Sequence, residues 1–152
     1  MLPILEDYLN LLQALHDQLC RTVEGLPVAA LDWSPGPDMN SLSVLIVHTA
    51  GAERYWIGDV VGRDPSSRDR DAEFRTRGVG TATLTARLEA ALAHTRTVLE
   101  ELTLADLEAR RLSPRDGREV TVAWSLAHTL EHTALHLGHA QIVRQLWDQR
   151  RS

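Results

Sequence analysis

Four histidines lie within residues 128–139, and their spacing is the strongest chemical signal in the sequence. At about 100° per residue, His132, His136 and His139 lie roughly 40°, 80° and 20° from His128 around a helix, so the four imidazoles share one stripe. Apolar residues fall on or beside that stripe, namely Trp124, Leu135, Ile142, Val143 and Leu146. Two leucines, Leu130 and Leu137, lie roughly opposite it. We therefore expect the imidazoles to point inward among apolar side chains, where they are costly unless hydrogen-bonded or bound to a metal.

The pair His132 and His136 has the i, i+4 spacing that lets two imidazoles on one helix share a metal ion. The pair alone leaves two interpretations open, a metal site or hydrogen-bonded core histidines. A third imidazole favours the metal, because His48 is the only polar ring in an aliphatic run elsewhere in the chain. Neutral imidazoles are typical ligands of zinc, nickel and ferrous iron, and three protein ligands leave room on such an ion for water or substrate.

Helical periodicity predicts four long helices to position these residues. They are expected over Pro3–Thr22, from Asn40 or Ser41 to Gly62, over Thr83–Leu102, and from a Thr121 cap to Gln149. Only a brief stretch that begins at Glu119 has the alternation of a strand. Four amphipathic helices in a chain of 152 residues predict an all-α, up-down four-helix bundle that forms a single domain over residues 1–152.

The segments between the helices are rich in glycine and proline. Residues 24–39 are expected to be mostly loop, residues 105–109 a short helical turn, and Pro114–Gly117 a turn. The connection from Gly62 to Gly80 is polar and rich in arginine. Its Arg68–Arg77 run alternates in charge, so we interpret it as an exposed, solvated loop, with a clamp for an anionic substrate as the alternative.

Two motifs surround the three histidines. The first runs from Leu31-Asp-Trp33-Ser-Pro35 through the helix start Asn40-Ser41 to His48, and the second is His132-Thr-Ala-Leu-His136-Leu-Gly138-His139-Ala-Gln141. Together, in this order, they resemble the DinB/YfiT-like family of small four-helix metalloproteins, and helix number and order agree over nearly the whole chain. The resemblance implies metal ligands His48, His132 and His136, a long connection between the second and third helices, and a homodimer.

The family resemblance also implies a metal-dependent enzyme. Because its relatives include enzymes that use a low-molecular-weight thiol, we expect a bacterial-thiol S-transferase that acts on a small-molecule substrate. A metal-dependent hydrolase and a non-catalytic metal-binding stress-response protein are the alternatives. Leu137 and His139 replace the family's usual arginine and glutamine, and Gly138 replaces the glutamate of its thiol-oxidising branch, which argues against an oxidase.

The sequence offers only weak candidates for an acid or base. Glu53, five residues past His48, is either a hydrogen-bond partner of a ligand, a general base, or an exposed helix charge. His139 is either a fourth ligand or a hydrogen-bond partner of His136, and both it and His128 have a simpler interpretation as structural core imidazoles. His16 is interpreted as a helix-surface residue, as is His94.

Composition bounds the remaining classes of function. The formal net charge of −5 leaves no excess of cations for nucleic-acid binding. The single cysteine, Cys20, excludes an intramolecular disulfide and is either a small apolar filler or a catalytic thiol. No stretch predicts a membrane span or a secretory leader, so we expect a cytoplasmic protein.

Overall fold

The computed structural model describes residues 1–150, so the last two residues of the predicted domain lie outside the described part. In chain order its first elements are α1 (Pro3–Val23), α2 (Val28–Leu31), α3 (Leu42–Glu53) with a π-helical continuation (Arg54–Val61), and α4 (Arg70–Glu73). They are followed by α5 (Thr81–Glu100), a 3-10 turn (Ala105–Glu108), β1 (Arg110–Leu112), β2 (Glu119–Thr121) and α6 (Val122–Gln149). No helix among residues 1–150 combines the length and apolarity that a bilayer crossing needs.

The four long helices begin where the sequence predicts, because their start signals are local. Pro3 occupies the first turn of α1. Ser41 Oγ accepts a hydrogen bond from the Val44 N–H at the start of α3, and Thr121 Oγ1 accepts one from the Trp124 N–H at the start of α6. The four long helices confirm the prediction of a four-helix bundle.

A buried polar layer lies between two of the three apolar clusters of the core. One cluster lies around Leu19, Ile46 and Leu88, and the other around Leu12 and Ile57. Each long helix contributes at least one buried polar side chain near the boundary between these two clusters. These residues, which we call the polar layer, are His16 on α1, Glu53 on α3, Thr95 on α5, and Thr129 and Thr133 on α6.

The histidine stripe lies at the edge of the buried face of α6 rather than at its centre. Leu135 and Ile142, expected inside, are 56% and 51% exposed, whereas Leu137, expected opposite, is only 6% exposed. The buried positions of α6 are Val122, Ser125, Leu126, Thr129, Thr133, Leu137, Ala140 and Val143. The inward orientation predicted for Leu135 and Ile142 is therefore wrong, whereas Val143 is buried as predicted. Small polar Ser and Thr residues, which gave no hydrophobic signal, form part of the core contact instead.

The connection between α3 and α5 is partly buried, so its interpretation as a solvated loop is wrong in its middle. Residues of this connection fold into α4, and Glu73 at the end of α4 is buried. The Arg68 side chain is largely shielded and forms an ion pair with Glu73. Some charges of the Arg68–Arg77 run are therefore paired with each other inside the protein instead of being exposed to water.

A small antiparallel hairpin precedes α6. Arg110 pairs with Thr121 and Leu112 pairs with Glu119. The sequence indicated only the second strand, because three residues are too few to show alternation in the first. The hairpin turn is fixed to the bundle where Ser113 Oγ lies 2.7 Å from Tyr55 Oη.

Candidate metal centre

The imidazoles of His48, His132 and His136 converge between α3 and α6. His132 Nε2 lies 3.2 Å from His48 Nε2 and 3.2 Å from His136 Nε2. One ligand atom from each of the three rings lies within 4.8 Å of the others. Tetrahedral zinc with Zn–N bonds near 2.05 Å would hold two nitrogens about 3.3 Å apart, which matches the two distances to His132. The cluster could hold a metal ion.

Glu73 holds His48 in the orientation that a metal ligand requires, a role that sequence reasoning missed. Glu73 Oε2 lies 2.9 Å from His48 Nδ1. Because a carboxylate accepts, His48 Nδ1 donates its proton, which leaves the Nε2 lone pair free to face the other two histidines. A carboxylate behind a metal-binding histidine is the usual way in which proteins fix the tautomer of the ring.

Arg68 in turn fixes Glu73. Its Nε and Nη2 atoms donate to Glu73 Oε1 and Oε2 over 2.6 and 2.7 Å, a bidentate pair. Burial alone would raise the pKa of Glu73, but the hydrogen bonds from Arg68 and His48 outweigh it and hold that pKa below its usual range. The carboxylate therefore stays ionised while it accepts the His48 proton. The long spacing in sequence between Glu73 and His48 gave no local signal for this pair.

Burial keeps two of the three imidazoles neutral. It lowers the pKa of His132 to about 3, and the neighbouring His136 and His48 lower it further in the same direction. Burial also lowers the pKa of His136 to about 4, with contributions from His48 and His139. At neutral pH these rings carry free lone pairs, the form in which histidine binds a metal.

His139 and His128 continue the row of imidazoles on either side of the cluster. His139 Nδ1 lies 3.4 Å from His136 Nδ1, within hydrogen-bond reach, and its side chain is exposed. The His128 ring stacks on Trp124 at 4.7 Å, and its centroid lies 5.9 Å from that of His132. The three-histidine cluster includes neither of them.

Glu53 and His16 meet in the polar layer. Glu53 is 1% exposed, and its Oε1 atom accepts a hydrogen bond from Thr95 Oγ1 over 2.7 Å. Its Oε2 atom lies 2.6 Å from His16 Nε2, an ion-pair distance without the alignment of a hydrogen bond. Glu53 is therefore not an exposed helix charge. His16 is only 3% exposed, so its interpretation as a surface residue is wrong; one histidine on an amphipathic helix gave no hint of a buried partner.

The bundle has the fold of YfiT, and its histidine cluster is a possible metal site. The family model described as mycothiol-S-transferase matches residues 7–149, and the chain belongs to this family. None of the curated protein sequences matches the chain.

Solved structures share the fold at low sequence identity. A conserved protein from Enterococcus faecalis superposes with a TM-score of 0.81 at 17% identity, over 96% of this chain and 98% of that one. YfiT from Bacillus subtilis, described as a probable metal-dependent hydrolase, gives 0.76 at 14% identity over 95% and 89% of the two chains. A mycothiol-dependent maleylpyruvate isomerase gives 0.66 at 19% identity, and the match covers 91% of this chain and 60% of the isomerase.

Proposed function

We propose that the chain is a metal-dependent S-transferase that joins a low-molecular-weight thiol, mycothiol or a close chemical relative, to a small electrophile. One observation carries the proposal: three imidazoles converge in a chain that belongs to the mycothiol-S-transferase family. The metal-ligand set that we propose is His48, His132 and His136, with zinc, nickel or ferrous iron as the ion. The structural match to the thiol-dependent isomerase supports the proposal through the fold alone.

The residues present fit a divalent ion. The donors are nitrogens with the spacing that zinc needs, and Glu73 supplies the carboxylate that such sites place behind one ligand. When bound, the ion supplies a positive charge that lowers the pKa of a thiol held beside it and so favours the thiolate. This chemistry needs no dedicated protein base. Glu53, a sequence candidate for such a base, instead contacts Thr95 and His16 through its two carboxylate oxygens.

The protein's own residues would hold and orient the reactants. Arg68 and Glu73 fix the His48 ring, and the half-buried ring pair of Trp124 and His128 forms an aromatic surface next to His132. In the transfer, the sulfur of the thiolate forms a bond to a carbon of the electrophile. The thiol proton passes to solvent, and the leaving group departs with its electron pair.

The proposed activity is tested by incubating metal-loaded protein with a chloro-substituted model electrophile, with and without mycothiol. We expect conjugate formation that requires both the thiol and the metal, and that disappears when a chelator is added. Gln145→Ala, at an exposed position of α6 outside the ligand set, is the control for His132→Ala. Conjugation at the uncatalysed rate with every combination of metal and thiol would contradict the proposal.

A hydrolase is the second candidate, because YfiT shares this fold and is described as a probable metal-dependent hydrolase. Three protein ligands suit either chemistry, since the same ion can activate water. The assay separates the two activities when an ester or epoxide is added. Hydrolysis that requires the metal but no thiol would establish the hydrolase instead.

The assembly that we propose is a single domain that acts as a homodimer. Exposed apolar side chains on α6, including Leu135, Ile142 and Leu146, give a second copy an apolar surface to cover. The tryptophan pair Trp33 and Trp147, whose ring centroids lie 5.7 Å apart, is a further apolar feature near the end of α6.

A further inference from the structure

A cleft of about 690 Å³ opens on the α5 side of α3, away from the three histidines. Its floor is concave because the helices present small side chains there, among them Ala50 and Gly51 on α3 and Ala90 and Ala91 on α5. The connection between α3 and α5 forms a further wall of the cleft. A cleft of this size accommodates a small organic molecule.

Basic side chains surround the cleft. Arg54, Arg68, Arg87 and His94 line it together with the carboxylates of Asp69 and Glu73. Arg54 is held by Asp59 and Asp64, and Arg68 is held by Glu73, so these two cations have partners within the protein. Asp69 accepts the Ala72 N–H at the start of α4, which occupies one of its oxygens.

Arg87 differs from the other cations of the cleft. Among residues 1–150 no carboxylate pairs with its guanidinium, although the side chain lines the cleft opposite two other arginines. His94, two turns further along α5, has an Nε2 atom that is shielded from solvent and makes no hydrogen bond within the described chain. Its nearest acidic atom, Asp64 Oδ2, lies 3.6 Å away.

We infer that this cleft binds a small organic anion, one that carries a phosphate, sulfate or carboxylate group. The free guanidinium of Arg87 would make the charge-assisted hydrogen bonds to the anionic group. The apolar floor would pack against the body of the ligand. The field of Arg54 and Arg68 adds to the attraction even though both are paired.

The cleft shares a wall with the candidate metal centre. Glu73 and Arg68 line the cleft, and Glu73 also accepts the Nδ1 proton of His48. An anion in the cleft would therefore contact the pair that orients a metal ligand, from the side opposite that ligand. The inference does not depend on the transferase proposal, because binding in the cleft can be measured without turnover.

The test is a calorimetric and NMR titration of the zinc-loaded protein with inorganic sulfate and with glucose 6-phosphate. Glucose is the uncharged control ligand. We expect saturable binding of the two anions but not of glucose, with chemical-shift changes confined to the residues of the cleft. Arg87→Ala is expected to weaken binding about tenfold, the effect of losing a charge-assisted hydrogen bond.

Arg96→Ala is the matched control variant, since it removes the same charge from an exposed position of α5 that does not line the cleft. It should change the affinity less than about twofold, the effect of a distant screened charge. Two results would overturn the inference: neither anion binds saturably, or both variants weaken binding to the same extent, which would indicate nonspecific attraction.

Discussion

Glu73 is the residue of the site that the sequence did not predict, and its carboxylate orients His48. The three histidines could be read from their spacing and from the isolation of His48 in an aliphatic helix, because both are local features of the sequence. Glu73 lies 25 positions from His48 in a run of alternating charges, where nothing distinguishes it from its solvated neighbours. Only the folded connection shows that its carboxylate accepts the His48 proton.

Glu73→Gln tests that role. The amide cannot accept two hydrogen bonds from Arg68 and one from His48 as the carboxylate does, so His48 should be held less firmly. We expect the metal affinity to fall about 10- to 100-fold, the usual effect of removing such a partner. Competition with a chromogenic chelator measures it.

Asp71→Asn is the matched control, because it removes a carboxylate from an exposed position of the same short helix. Its metal affinity should equal that of the wild type. Equal affinities for Glu73→Gln and the wild type would show that the hydrogen bond to His48 has no part in metal binding.

At the scale of elements, the connection between α3 and α5 is placed by a close approach to α3. A Cβ atom on Gly51 would overlap Glu73 Oε1 and lie 3.3 Å from Arg68 Nε. Helix starts could be predicted from caps and proline, since these signals lie within a few residues of each other. The packing of α4 over Gly51 could not be predicted in this way, because it brings together segments that are distant in the chain.

Gly51→Ala sets two effects against each other. Alanine stabilises a helix by roughly 0.5–1 kcal/mol relative to glycine, but here its methyl group must displace the Glu73 carboxylate. The displacement breaks a buried ion pair and outweighs the helix propensity. We expect weaker metal binding and faster proteolysis of residues 62–80.

Gly138→Ala, two residues from the candidate ligand His136, makes the same substitution where nothing lies within 4 Å of the added atom. This variant should bind metal normally and be slightly more stable. If Gly51→Ala behaves in the same way, the described placement of α4 is incorrect.

At the scale of the whole molecule, the polar layer is a structural device that is separate from the metal centre. It contributes a buried side chain from each long helix and lies between two of the apolar clusters. Composition and periodicity predicted the bundle, because apolar spacing determines which faces meet. They did not predict the layer, since a buried Glu–His pair and a surface pair have the same appearance in sequence.

Glu53→Ala should destabilise the protein without affecting the metal. Removing Glu53 leaves the buried Thr95 hydroxyl and the His16 ring without a polar partner, which costs about 1–3 kcal/mol in the free energy of unfolding. Chemical denaturation measures the loss, and metal stoichiometry of the folded protein should be unchanged. Glu89→Ala, at an exposed position on α5, is the control. A Glu53 variant of normal stability that fails in catalysis would instead support Glu53 as a general base.

We propose that His48, His132 and His136 together bind one divalent metal ion, and elemental analysis of protein purified without an affinity tag is the direct test. We expect one equivalent of zinc, nickel or iron per chain in the wild type and in His128→Ala. His132→Ala should lose most of that metal and keep its helical circular dichroism, because Ala favours helix and the side chain lies at the edge of the buried face. Wild-type protein that stays metal-free when supplied with all three ions, or His132→Ala protein that keeps a full equivalent, would contradict the claim.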